Sequence, residues 1–284
     1  MIKTKIAIVG YGFVGKATSK GFSKNTELFL VDPLLGTNIK DLVQFKPDFI
    51  FVCVPTPMTG DGGQDFESVT DVFSEIKKNK ISTCVVLKST VIPSNIKIAE
   101  KLIEDFVYNP EFLREKHAEN DFINAEMIIL GGKQYNQEKV RKLYKNHSTC
   151  KTNNYILTDK ITASLIKYTI NSFLASKVIF FNQLKDLFNS SGVSEDWDNF
   201  TNILAMDKRI GTSHMDVPGH DKRLGFGGAC FTKDTAALVK YSQDMGKEFT
   251  ILKKAVEINN KIRSKYDDID QREKDQNVTY NTDD

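Results

Sequence analysis

The sequence predicts an α/β fold: a doubly wound Rossmann-type parallel sheet followed by a helical central and dimerisation domain. Three observations predict it. Lys5 to Val9, "KIAIV", runs into "GYGFVG" at Gly10 to Gly15, then into a helical segment and the strand pattern "ELFLVD" ending at Asp32. Short β-branched runs then alternate with helical segments as far as residue 157, the pattern of parallel strands joined by crossover helices. From Thr158 to about Ser190 one long apolar helix follows, and no strand pattern comes after it. The chain accordingly divides into residues 1–157, a dinucleotide-binding domain, residues 158–264, a helical central domain, and residues 265–284, a polar, acidic tail expected to be disordered.

In the first strand–turn–helix each glycine has a physical task. Gly10 permits the tight turn, Gly12 lets a pyrophosphate approach the backbone, and Gly15 allows helix and strand to pack closely. Phe13 and Val14 complete the loop and open the helix, whose N-terminus presents N–H groups and a positive dipole end to phosphate. Asp32, at the end of the second strand, can accept hydrogen bonds from both ribose hydroxyls and repels a 2′-phosphate, which favours NAD over NADP. The alternative is a glycine turn in a doubly wound fold without a cofactor. The strands that follow are "DFIFVCV", "TCVVLKS", "EMIILGG" and "NNYIL", with "FVYNPEF" between the second and third. Parallel sheets bind ligands at the carboxyl ends of their strands, and the loops starting at Val54, Ser89 and Asn109 fall there.

The long helix carries Lys167 and Asn171 four residues apart, beside wide apolar coverage that includes Phe173, Val178, Phe181 and Phe188. Either Thr158 or Asp159 can cap it. Lys167 either snorkels to solvent or is held near a carbonyl, where its charge stabilises a developing oxyanion. Beyond the helix, "GFGGACFTKD" (Gly225 to Asp234) places Cys230 just before an apparent helix start, where the dipole favours a thiolate, with Lys233 next door. The competing reading is a small buried hydrophobe in a glycine turn. One helical segment, Thr235 to about Ser264, is expected after it.

Composition narrows the function classes. The 284 residues are 40% hydrophobic and 27% charged, which is globular and water-soluble in type. Lys and Arg total 39 against 37 Asp and Glu, and no basic block interleaved with aromatics occurs, so nucleic-acid binding is not expected. The most apolar run, "FIFVCV", is far shorter than a membrane span, and the N-terminus reads as a strand, not a signal peptide. Four scattered cysteines without CxxC pairing point to a reducing, cytoplasmic compartment, and four dispersed histidines point to no metal.

With these pieces in place the chain resembles the UDP-glucose/GDP-mannose dehydrogenase family over most of Ile6 to Leu238. "GYGFVG", "CVPTP" (Cys53 to Pro57), "STVIP" (Ser89 to Pro93), "NPEFLRE" (Asn109 to Glu115), "IKYTINSFLASK" and "GFGGACFTKD" occur in the family's order. The resemblance implies a four-electron oxidation of a nucleotide-sugar, with two NAD reduced as a primary alcohol becomes a carboxylate. In the implied mechanism Asp234 and Lys167 hold a water that takes the hydroxyl proton. Cys230 attacks the aldehyde, the thiohemiacetal becomes a thioester, and water cleaves it with Glu111 as base and Thr90 placing the water. Lys167 and Asn171 stabilise the oxyanions. The resemblance also implies that Val54, Pro55, Thr56 and Thr90 line the nicotinamide side of the cofactor, with Glu115 and Lys233 nearby. Phe112, Leu113, Gly225, Phe226 and Gly227 would hold the sugar, and Arg209 would reach a neighbouring subunit's site in a homodimer.

The pattern departs from the family in several places. A third, nucleotide-gripping domain usually follows the nucleophile loop, and only a helical segment and the tail are expected here. "TSHMDVPGHDKRL" lengthens the approach to that loop, either as a solvated surface loop or as a diphosphate clamp using His220, Asp221, Lys222 and Arg223. Ser164 stands where the family usually has glutamate, and Lys116 where it has glycine. Two other functions compete: a two-electron NAD dehydrogenase of the β-hydroxyacid type, and a non-catalytic NAD-binding remnant that needs a partner. Cys230 argues against the first, because two-electron chemistry needs no thiol. Retention of Cys230, Lys167, Asn171, Asp234 and Glu111 argues against the second.

Overall fold

Each strand of the sheet sends successive side chains to opposite faces, and here both faces are buried. In β1 (Thr4–Val9), Ile6 and Ile8 join one apolar cluster with Phe22, Phe51, Val86 and Tyr144. Ala7 and Val9 join another with Ile50, Val52, Leu87 and Phe73. A sheet covered on both sides is what continuous apolar strands require. The structure, a computed structural model, describes residues 3–280.

The chain folds into two units: Met1–Thr56 with Asp65–Lys167, and Pro57–Gln64 with Tyr168–Asp284. The first contains α1 (Phe13–Gly21), β2 (Thr26–Val31), α2 (Leu42–Phe45), β3 (Phe49–Val52), α3 (Glu67–Lys78), β4 (Cys84–Leu87), α4 (Pro93–Leu102), β5 (Val107–Tyr108), α5 (Ala118–Ile123), β6 (Ile128–Gly131), α6 (Gln134–His147) and β7 (Tyr155–Thr158). The strand order is β2-β1-β3-β4-β5-β6-β7. Chain direction across the sheet reverses around β1, which makes the gap beyond β1 and β3 the topological switch point.

One pairing departs from the all-parallel expectation: β5 and β6 meet antiparallel, through Tyr108 and Gly131. The connection between them holds only the six-residue α5 as α-helix and does not return the chain to the end at which β5 begins. The fourteen-residue α6 does make such a return, and β6 and β7 are parallel.

The second unit is built from α7 (Lys160–Ser190) beyond Lys167, α8 (Trp197–Ala205), α9 (Ala229–Asp244), α10 (Thr250–Arg263) and α11 (Gln271–Asp275). Its apolar clusters are Ala175, Ile179, Phe226 and Ala255, and Phe181, Trp197, Met215 and Val217. The single helix expected over Thr235 to Ser264 is two helices, because Gly246 adopts φ +65° and ends α9. The segment expected to be a disordered tail instead carries α11, with a capping box between Asp270 and Glu273, and buries Val278. Its last residues, 281–284, lie outside the described ones. Among the described residues no helix is long and apolar enough to cross a membrane.

Candidate active site

The glycine turn sits at the switch point of the first unit. Gly10 has φ +88°, and a β-carbon there would lie 2.8 Å from the carbonyl oxygen of Cys53, where β3 ends. A β-carbon on Gly15 would lie 2.0 Å from the Gly10 oxygen, whereas one on Gly12 would meet nothing within 4 Å. Gly12 is the N-cap of α1, which has no side-chain cap and no acid in its first turn. The Asp32 carboxylate accepts the N–H of Tyr11 at 2.7 Å and of Leu34 at 2.9 Å, which fixes it beside the turn. The strand-end loops are tied together: Ser89 donates to the Val54 carbonyl at 2.6 Å, and Thr56 donates to the Thr90 carbonyl at 2.9 Å. A cradle that admits no side chain at Gly10 or Gly15, open space at Gly12, an anion-ready helix end and a fixed carboxylate together fit NAD.

The "NPEFLRE" segment and Lys167 meet in the same unit. The Lys167 ammonium is 3% exposed, donates to the Glu111 carbonyl at 2.5 Å and lies 5.0 Å from the Phe112 ring centre. It is therefore buried against the protein's own backbone and does not snorkel. The Glu111 carboxylate, also buried, accepts the Leu113 N–H at 2.5 Å. Ser164 donates to the Val91 carbonyl at 2.6 Å, so it anchors α7 to the loop after β4. Arg114 forms a bidentate pair with Asp121, and Glu115 opens a short 3-10 turn. Lys88 escaped the sequence reading. It is buried and donates to Asn109 at 3.1 Å, and burial holds its ammonium below the usual lysine range. A lysine directly after the buried run "CVVL" was the available signal.

In the second unit, Gly228 caps α9 with φ +77°, and Cys230 is the helix's second residue. The thiol is half-buried, and the Arg272 guanidinium lies 3.7 Å from its sulfur. Asp234 is 1% exposed and its two oxygens are both engaged, by Asn171 at 2.6 Å and Lys233 at 2.7 Å. Gly225 has φ +72°, and its N–H goes to Asn182 at 2.9 Å. The Phe226 N–H goes to Asn259 at 2.7 Å, and the Phe226 ring is buried in the core. The loop backbone at these two positions thus serves the protein's own asparagines. A β-carbon on Gly227 would lie 2.7 Å from the Arg263 guanidinium. Arg209 is exposed and paired with Asp207.

In the lengthened approach to the loop, two of the four proposed clamp residues are engaged within the protein. Arg223 pairs with Asp268, and Asp221 pairs with Arg263 at 2.7 Å. A cavity of about 200 Å³ there is lined by His220, Asp221, Arg223, Arg263, Asp268 and Glu273 among others. Both arginines are already matched by carboxylates, which leaves the lining poorly suited to a diphosphate. Arg272 and Glu273 were not singled out from the sequence, because their partners lie more than 40 residues away.

Comparisons with known proteins follow this division. Residues 34–148 match the model of the UDP-glucose/GDP-mannose dehydrogenase family, NAD binding domain, and residues 161–261 match that family's central domain. UDP-glucose 6-dehydrogenase of Rickettsia conorii is 35% identical over 237 residues, 80% of this chain and 52% of that protein. The Bacillus subtilis enzyme of the same name is 32% identical over 76% of this chain and 49% of its own. The chain thus spans about half the length of the curated relatives it matches. A UDP-glucose dehydrogenase structure from Pyrobaculum islandicum superposes with TM-score 0.77 at 25% identity, over 91% of this chain and 68% of that one. A 3-hydroxyisobutyrate dehydrogenase structure from Mycobacterium tuberculosis shares the fold, with TM-score 0.73 at 16% identity, over 94% of this chain and 96% of that one.

Proposed function

The chain belongs to the UDP-glucose/GDP-mannose dehydrogenase family, and on that premise we propose that it carries a nucleotide-sugar, UDP-glucose, through a four-electron oxidation to the uronate by way of a thioester on Cys230. The observation that carries the reading is the placement of Cys230. A half-buried thiol at the second position of a sixteen-residue helix lies at the positive end of the helix dipole, which suits a nucleophile and not core filling.

Oxidation of a primary alcohol to a carboxylate removes two hydrides, and NAD, when bound in the Gly10–Asp32 cradle, supplies their acceptor. The chain's own residues supply the rest. The Cys230 sulfur adds to the aldehyde carbon and forms a C–S bond, and the Lys167 ammonium and Asn171 amide balance the charge on the oxygen. Loss of hydride from that adduct leaves a thioester. Glu111 takes a proton from the water that cleaves it, with Thr90 placing the water, and the thiolate leaves. The buried Asp234, fixed by Asn171 and Lys233, holds the water that receives the first hydroxyl proton.

The test is the amount of NADH formed per limiting UDP-glucose, for wild type and Cys230→Ser. Two NADH per sugar, and loss of steady turnover in the variant, are expected. One NADH with an indifferent variant gives the two-electron reading instead. No NADH despite measurable NAD binding leaves a binding protein.

A further inference from the structure

We propose that the C-terminal segment, residues 265–280, is an autoinhibitory strap that covers the Cys230 thiol and has to lift before a substrate can reach it. The inference goes beyond the reaction proposed above, since coverage of the thiol is measurable whether or not the thiol is catalytic.

The strap is seated on the nucleophile helix by its own chemistry. The first N–H groups of α9 and its dipole form a place for an anion, and no acidic residue in its first turn supplies one. Glu273 fills that place. Its carboxylate accepts the Gly228 N–H at 2.8 Å and the Tyr280 hydroxyl at 2.5 Å, and it is 3% exposed. Asp270 and Glu273 cap each other across the first turn of α11, which fixes the direction in which Arg272 leaves the helix. Arg272 then lies against the Cys230 sulfur. The chain is held again further on, where Met58 donates its N–H to the Gln276 carbonyl at 3.0 Å and Val278 is buried. Ahead of α11, Arg223 pairs with Asp268 and Leu224 donates its N–H to the Tyr266 hydroxyl at 3.1 Å.

These contacts are few and mostly polar, and a five-residue helix has no stability of its own. Glu273 and Val278 are its buried anchors, and loss of either loosens the segment. A substrate bearing oxygen atoms competes with the Glu273 carboxylate for the Gly228 N–H, and binding of one releases the other.

The test is the rate of iodoacetamide alkylation at each cysteine, read by peptide mapping, at a pH where the Cys230 rate no longer rises with pH. At that plateau the thiol is fully ionised, and a tenfold rise exceeds the roughly threefold that a one-unit rise in thiol pKa gives through nucleophilicity alone. Glu273→Ala and Val278→Ser are each expected to raise the Cys230 rate at least tenfold over wild type. Fluorescence of Trp197, the one tryptophan and buried in the core of the second unit, is the folding control for that unit, and Cys53 and Cys84 are the control for the first. Burial pushes their thiols up to about 12 and about 11, and they stay unmodified while the fold is intact. Should an anchor variant expose Trp197 or Cys53, Arg272→Ala gives the answer, because both anchors remain and only the covering side chain is gone. A rise of at least tenfold in its Cys230 rate supports the strap, and a rise of about threefold or less does not. A plateau rate unchanged or lower in every folded variant overturns it.

Discussion

A β-carbon at Gly15 would be forced to 2.0 Å from the Gly10 carbonyl oxygen, a backbone atom that cannot swing aside. At Gly12 the same β-carbon meets only open space, on a backbone with φ −71° that any residue adopts. The two glycines of one motif thus meet different surroundings: the fold requires Gly15, and Gly12 is proposed to serve the cofactor. Gly15→Ala is expected to cost at least about 3 kcal/mol in stability through overpacking. Gly12→Ala should unfold within about 1 kcal/mol of wild type, the cost of alanine at an N-cap, yet bind NAD at least tenfold more weakly. Urea titration beside fluorescence titration with NADH separates the two. A Gly12→Ala chain that binds normally would remove the pyrophosphate from that space. The same logic applies at the other loop, where Gly225 and Gly227 are hemmed in by Asn259 and Arg263. Those glycines serve packing first.

At the scale of elements, α7 begins at a cap that two neighbouring residues offered in the sequence. Asp159 takes the role, accepting the Thr162 N–H at 2.9 Å and its hydroxyl at 2.6 Å, while Thr158 ends β7. These bonds hold the Asp159 carboxyl below its ordinary value of 3.8. A carboxyl with a lowered folded pKa stabilises the fold above its unfolded pKa and loses that contribution as pH falls through the folded one. Asp159→Ala should therefore cost about 1 kcal/mol at pH 7, with the gap to wild type closing below pH 3.8. Thermal unfolding of both chains from pH 7 to pH 2.5 measures it, and a constant gap would remove the cap as its source. Elements of this kind were legible because their causes are local: a capping acid, a glycine turn, an apolar run of four to six residues. The antiparallel entry of β6 was not, since periodicity within a strand says nothing of its neighbour's direction. The break between α9 and α10 had a visible signal in Gly246, but the apolar spacing on either side reads continuously through it. The strap was least legible. Its apolar residues are sparse, and the groups that seat it, the N–H of Gly228 and of Met58, are backbone atoms far away in sequence.

Across the whole molecule the candidate residues divide between the two units. Gly10 to Asp32, Thr90, Glu111 and Lys167 belong to the first, and Asn171, Cys230, Lys233 and Asp234 to the second. The second unit also leaves a feature that its own folding does not use. Along α7, Phe173, Phe180 and Leu187 are each more than 60% exposed and recur every seven residues, so they form one stripe on one side of the helix. Large apolar side chains spaced this way gain nothing in water, and a second copy of the chain presents the same stripe, which a two-fold axis can pair with itself. The homodimer expected from the sequence is proposed to form here. Replacing Phe180 by Asp removes about 2 kcal/mol of apolar burial at each of two symmetric positions and sets two carboxylates against the interface. Dissociation of the dimer should then be at least 100-fold easier. Analytical ultracentrifugation at micromolar concentration should find wild type as a dimer and Phe180→Asp as a monomer with an unchanged thermal midpoint for the first unit's core. A wild-type chain that sediments as a monomer would leave the stripe for a different partner.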